Sequence, residues 1–164
     1  MGMMSELLER LRNAGVPLDE EIAEAMEDVE PSIFTDFNLE PFWHDRPVPF
    51  QFTSNGATRT ISAPHMIVTL LHHLEIQEGQ HTLIVGSKGG YLAALVDSIV
   101  GPSGAITIIE PHDEVRLPTE ERLEFYPSSS LVRVLRPVDL ESNDVRDSAD
   151  DRVLRPGTGR TITV

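Results

Sequence analysis

The chain has 164 residues, and 27 Asp plus Glu against 13 Lys plus Arg give it a formal net charge of −14. That balance repels a phosphate backbone, whose binding is dominated by Lys and Arg, so nucleic acid is excluded as an expected partner. Cysteine is absent, which removes disulfides, thiolate nucleophiles and sulfur-ligated metal sites, and the lack of a charged-then-apolar leader or a run of ~18 apolar residues predicts a soluble, cytoplasmic protein without membrane contact.

Lys88 is the one lysine; the other basic residues are all Arg. An acidic, lysine-poor and aromatic-poor composition suits a protein that stays dispersed at high salt, although a GC-rich genome also favours Arg over Lys. The length predicts one domain over residues 1–164, which the elements below divide into a helical and aromatic loop segment over 1–62 and an α/β core over 63–164.

In chain order, Leu7, Leu8 and Leu11 share a face of a short amphipathic helix, with Ser5 as the expected N-cap and Gly15 as the stop. A second helix is expected from Asp19, acting as its cap, with Ile22, Met26 and Val29 inward and Pro31 ending it. From Pro31 to Arg59 no period holds. Five of the six Phe and the sole Trp lie there, so an ordered aromatic loop packed over a core edge is expected. Ser62 is positioned to cap a helix that starts Ala63-Pro64 and turns Met66, Ile67, Leu70, Leu71 and Leu74 to one side. The next stretch is the most informative. His81 to Val85 has strand character, Gly86-Ser-Lys-Gly-Gly90 is a glycine-rich turn, Tyr91 to Val100 is helical, and Ala105 to Ile109 is a second strand followed by Glu110. This is a βαβ unit with a binding crevice at the carboxyl ends of its strands. After Pro118 the pattern weakens. Leu131 to Leu135 predicts a third strand ending near Asp139, Asp150 to Leu154 a remnant of a fourth, and Arg160 to Val164 a terminal one.

A glycine turn between strand and helix lets backbone N–H groups approach a ligand, and an acid ~20 residues on can accept the hydroxyls of a ribose. Gly86 and Glu110 fit that pattern. Their surroundings sharpen it. Leu11-Arg-Asn-Ala-Gly-Val16, Ile22-Ala-Glu-Ala-Met26, Asp45-Arg-Pro-Val-Pro49 and above all Thr60-Ile-Ser-Ala-Pro-His-Met66 precede Leu83 to Ala94 and Thr107 to Glu110 in the order seen in protein-L-isoaspartate (D-aspartate) O-methyltransferases, which the chain resembles from Leu8 to about Pro111.

The resemblance implies an α/β class I (Rossmann-like) methyltransferase fold, with a mostly parallel sheet and N-terminal helices, that uses S-adenosylmethionine to esterify the carboxylate of isoaspartyl residues in damaged proteins. It implies Ser62 as the catalytic contact to that carboxylate, Thr60, Ser62 and His65 as the peptide site, and Gly86, Ser87, Gly90, Glu110 and Asp139 as the cofactor site. Read without the resemblance, Ser62 is an N-cap and His65 a histidine on a helix surface.

Two departures from the family pattern stand out. Its cofactor turn carries an acid where this chain has Ile84 and a glycine where it has Lys88. An ammonium in or beside the pocket would occlude or repel a cationic sulfonium, and the alternative is that Lys88 faces solvent while Gly89 makes the turn. The half of the sheet after Glu110 is also short, which predicts a truncated C-terminal half whose apolar surface a homo-oligomer or protein partner covers. These features support an alternative in which the chain is a non-catalytic, methyltransferase-like binding or scaffold subunit. No histidine spacing predicts a metal site, and the acidic runs read as solvated helix faces.

Overall fold

A computed structural model describes residues 2–141 and 159–163. Two helices open the chain, α1 over Met3–Asn13 and α2 over Glu20–Asp28. Leu7, Leu8 and Leu11 are buried on α1, and Ile22 and Met26 on α2, as the helical period requires. The caps differ from expectation. Gly2 takes the N-cap position of α1, so Ser5 lies within the helix and donates to Glu27 Oε1 at 2.7 Å. Asp19 occupies the N-cap position of α2 without a capping bond, because its Oδ2 lies 2.8 Å from His72 Nδ1.

The aromatic segment is more regular than its sequence suggests. After a 3₁₀ turn at Pro31–Ile33 and the short helix α3, Glu40–Trp43, it forms an antiparallel hairpin of β1, Val48–Phe52, and β2, Thr58–Ile61. Phe34 and Phe42 are buried in the main core beside Tyr91, with ring centroids 5.9 and 5.7 Å from it. The aromatic segment therefore forms part of the core rather than only covering its edge.

Helix α4, Pro64–Leu74, leads to β3, His81–Val85; α5, Tyr91–Val100, leads to β4, Ala105–Ile109; and α6, Asp113–Phe125, leads to β5, Leu131–Leu135. A last strand, β6, spans Gly159–Thr163. The four parallel strands lie in the order β5-β4-β3-β6. Their register sets Val85, Ile109, Leu135 and Thr163 in one row. The residue after each of β3 and β4 extends the ladder, Gly86 N donating to Ile109 O at 2.8 Å and Glu110 N to Leu135 O at 2.9 Å. The three strands and the intervening α5 match the sequence pattern closely, and the fourth expected strand, Asp150 to Leu154, lies outside the described residues.

Helix α6 continues through Pro118, where the pattern had faded. A proline inside a helix leaves the carbonyl four residues earlier without its donor. Here that carbonyl belongs to Glu114, and Gln51 Nε2 donates to it at 2.5 Å, so the hairpin supplies the missing bond. Among the described residues no helix is long and apolar enough to cross a membrane.

Candidate active site

The carboxyl row of the sheet ends in a compact polar lock. Gly86, at φ +91°, turns the chain sharply out of β3, and the next N–H and hydroxyl, both of Ser87, donate to Glu110 Oε2 at 2.9 and 3.0 Å. Only a residue without a Cβ adopts such a φ at little cost. Glu110 Oε1 accepts from His112 N at 3.1 Å. Three donors thus compensate a carboxylate that is 5% exposed. Behind them Thr119 Oγ1 lies 3.1 Å from Ser87 Oγ and donates to the Val115 carbonyl at 2.8 Å.

Three successive left-handed residues follow: Lys88 at φ +47°, Gly89 at +76° and Gly90 at +97°. The two glycines serve close packing. A Cβ on Gly89 would meet Phe50 Cγ at 2.9 Å, and one on Gly90 would meet Leu123 and Phe34 at 3.3 Å. The turn is therefore wedged between the hairpin and α6.

Two cavities flank it. A polar one of about 150 Å³ is lined by Thr58, Arg59 and Thr60 of the hairpin together with Gly86, Ser87, Lys88 and Glu110, and is closed by Phe50 and Val115. An apolar one of about 200 Å³ lies among Ile61, Ser62, Met66, Ile67, Leu70, Tyr91 and Leu92, again with Lys88. Lys88 is among the lining residues of both. A larger hollow of about 560 Å³ between α1 and α2, among Glu9, Glu20, Glu24 and Glu27, contains none of the candidate catalytic, peptide or cofactor residues.

The structure thus groups Thr60, Gly86, Ser87, Lys88 and Glu110 around one cavity and places Ser62 with Lys88 at the other. Ser62 is not the cap of α4. Ala63 holds the N-cap position without a side-chain bond, and Asp45 caps from a distance: its Oδ1 accepts from His65 N at 2.8 Å, and both its oxygens lie 3.0 Å from His65 Nδ1. His65 lines neither cavity; its half-exposed ring is oriented by Asp45. Gly90 lies behind the turn, against Phe34 and Leu123. Asp139 stands just beyond β5, bound by Arg136 through its backbone N–H at 2.8 Å and its guanidinium at 3.1 Å. The side-chain bond from Arg136, helped by its backbone N–H, holds the Asp139 carboxyl below its ordinary 3.8. Ile84, where the family has an acid, is fully buried and reaches neither cavity. Among the described residues no three His, Cys, Asp or Glu side chains converge as metal ligands.

Phe50, Thr58, Arg59 and Val115 line the site although no motif marked them. The alternation of Val48, Phe50 and Phe52, followed by Asn55-Gly56, is the hairpin signal that places the first three.

The family model of protein-L-isoaspartate(D-aspartate) O-methyltransferase matches residues 3–136. This chain belongs to that family. It is 36% identical over 129 residues to the protein-L-isoaspartate O-methyltransferase of Triticum aestivum, covering 77% of this chain and 54% of the relative. It is 39% identical over 105 residues to that of Methanothrix thermoacetophila, covering 63% and 46%. The chain spans about half the length of these curated relatives. A solved protein-L-isoaspartate O-methyltransferase superposes with a TM-score of 0.69 at 19% identity, over 80% of this chain and 41% of the other. A Plasmodium falciparum structure described as a putative member, in complex with S-adenosyl-L-homocysteine, gives a TM-score of 0.68 at 20% identity, over 90% and 69%. The fold is thus the Rossmann-like methyltransferase fold of the family. The matched region takes in both cavities and the whole glycine turn.

Proposed function

We propose that the chain is an S-adenosylmethionine-dependent carboxyl methyltransferase acting on isoaspartyl residues of damaged proteins. The observation that carries this reading is the polar cavity at the carboxyl ends of β3 and β4, where a glycine turn and a buried acid stand one residue beyond each strand and face the hairpin that bears Thr60. The acceptor left free on Glu110 fits a nucleoside. A carboxylate has about four lone-pair positions, and Glu110 uses three, leaving Oε1 able to accept a ribose hydroxyl. S-adenosylmethionine, when bound, supplies an electrophilic methyl carbon and leaves as a neutral thioether.

The chain's own residues have a modest task, because a carboxylate is already ionised and nucleophilic at neutral pH and needs no general base. Catalysis then consists of positioning. Glu110 and the Ser87 turn hold the nucleoside end; Thr60 at the polar cavity and Ser62 at the apolar one, on either side of Ile61, orient the acceptor; Ile61, Leu70 and Leu92 keep water from the apolar side. Asp45 holds the start of α4, which carries His65 beside the apolar cavity, through bonds to the His65 backbone N–H and ring.

The acidic, lysine-poor composition supports a protein that stays dispersed at high salt. The exposed Leu117, Phe125, Leu131 and Val138 support coverage by a second copy or a protein partner, and light scattering on a size-exclusion column reads that state directly. The activity itself is tested by incubating the protein with S-adenosylmethionine and an isoaspartyl peptide, in moderate and multimolar salt, and following methyl ester formation by mass. Ester on the isoaspartyl peptide and none on its aspartyl twin is expected. No ester in either salt, with the protein folded, would sink the reading.

A further inference from the structure

We infer that Lys88 is the carboxylate anchor of this site: its ammonium, with the Ser62 hydroxyl, binds the isoaspartyl carboxylate, a specificity role that rests on the reaction proposed above. Four observations converge on it. Lys88 is the one lysine of a chain with 27 acids, yet among the described residues none of those acids pairs with it. The acid that shares its polar cavity, Glu110, is committed to Ser87 and His112. The residue is half-buried and lines both cavities, so a cationic side chain without a counter-ion stands where a ligand would enter, an arrangement that suits an anion. Its backbone is held at φ +47°, where glycine would sit without strain; such strain is retained where the surrounding structure imposes it, and it clusters at functional sites.

The position specifies which anion. Lys88 is common to the polar and apolar cavities, whereas Arg59 lines the polar one alone and Ser62 the apolar one alone. A ligand carboxylate at the junction therefore meets an ammonium and a hydroxyl together, two donors for its two oxygens. Neither a neutral amide side chain nor the methyl ester formed by the reaction carries the charge that the ammonium attracts. The same contact selects the substrate and weakens when it becomes product.

The test is calorimetric titration of an isoaspartyl peptide, and of its aspartyl twin, into protein saturated with S-adenosylhomocysteine, comparing wild type with Lys88→Met and Lys88→Arg. Methionine keeps the length and the backbone strain and removes only the charge, so the fold is preserved. Lys88→Met is expected to weaken isoaspartyl-peptide binding about tenfold, Lys88→Arg to retain most of it, and S-adenosylhomocysteine affinity to stay within about threefold in both. Unchanged peptide affinity in Lys88→Met, or no peptide binding by wild type, overturns the anchor. A loss confined to S-adenosylhomocysteine also overturns it, since the ammonium would then serve the amino-acid carboxylate of the donor. Should S-adenosylhomocysteine fail to bind wild type, the methyltransferase reading fails first. The peptide titration run without it still decides the anchor, with a tenfold loss supporting it and no loss overturning it.

Discussion

The βαβ unit of residues 81–110 closes through bonds between its own strands and turn, whereas the segment before it is fastened largely by side chains that reach into other elements. In the first, β3 and β4 pair residue for residue, and the Ser87–Glu110 lock spans the single crossover. In the second, Ser5 holds Glu27, Asp45 holds His65, Asp19 holds His72, and Gln51 and Ser54 hold Glu114. The difference shows how the site is assembled. The ligand-facing turn is closed within its own βαβ unit, and the hairpin that faces it is positioned by bonds to α6.

Substitutions can break this contrast. Phe42 is fully buried, with its ring edge-on to Trp43 at 5.2 Å and to Tyr91 at 5.7 Å, so it joins the early segment to α5. Phe42→Ala should cost about 4 kcal/mol in denaturant unfolding and lower one cooperative transition. A loss under about 1 kcal/mol, or a separate early transition, would show the segment to be detachable. Asp45→Ala should cost about 2 kcal/mol, because it removes the remote cap of α4 and the partner of His65 while leaving a left-handed backbone that alanine tolerates poorly. Unchanged stability would mean that water caps α4 equally well.

Lys88→Gly acts in the opposite direction. Left-handed backbone costs an L-residue about 1–2 kcal/mol and glycine's chain entropy returns part of that, so a gain of about 1 kcal/mol is expected. A loss would show that the lysine side chain packs for stability. The smallest effect concerns Asp139, whose carboxyl is held below its ordinary 3.8 by Arg136. A depressed folded-state value gives stability that is present above the unfolded value and is lost as pH falls through the folded one. Asp139→Asn should therefore melt below wild type at neutral pH and converge with it in the acid range. A gap that does not narrow as the pH falls through the acid range would contradict the pairing.

Legibility in the sequence follows the same division. Residues 81–85, 105–109 and 131–135 declare their strands because each is a short apolar run bounded by turns, and Gly86 and Glu110 fall at their ends by register alone. The hairpin is harder to read because Pro47 and Pro49 obscure its alternation, and β1 carries an irregular register between Pro49 and Gln51. Helix α6 is hidden by Pro118, whose unbonded partner carbonyl is satisfied 63 positions away by Gln51. Asp19 and Ser62 have the chemistry of caps and do not act as caps, since Asp19 turns to His72 and Asp45 takes the role at α4. Local propensity cannot show a cap supplied by another element. Among the site residues, the motif places Thr60, Ser62, Gly86, Ser87 and Glu110 at the two cavities, while Arg59 and Phe50 become visible only once the hairpin folds over the turn.

The central claim is that the Ser87–Glu110 lock forms the nucleoside end of a methyl-donor site. Titration of S-adenosylhomocysteine into wild type and Glu110→Ala, each verified as folded by circular dichroism, tests it most directly. The account predicts saturable binding in the micromolar range for wild type and a loss of at least about tenfold in the variant. Equal affinity in both, or no heat from folded wild type in moderate and multimolar salt alike, would contradict it.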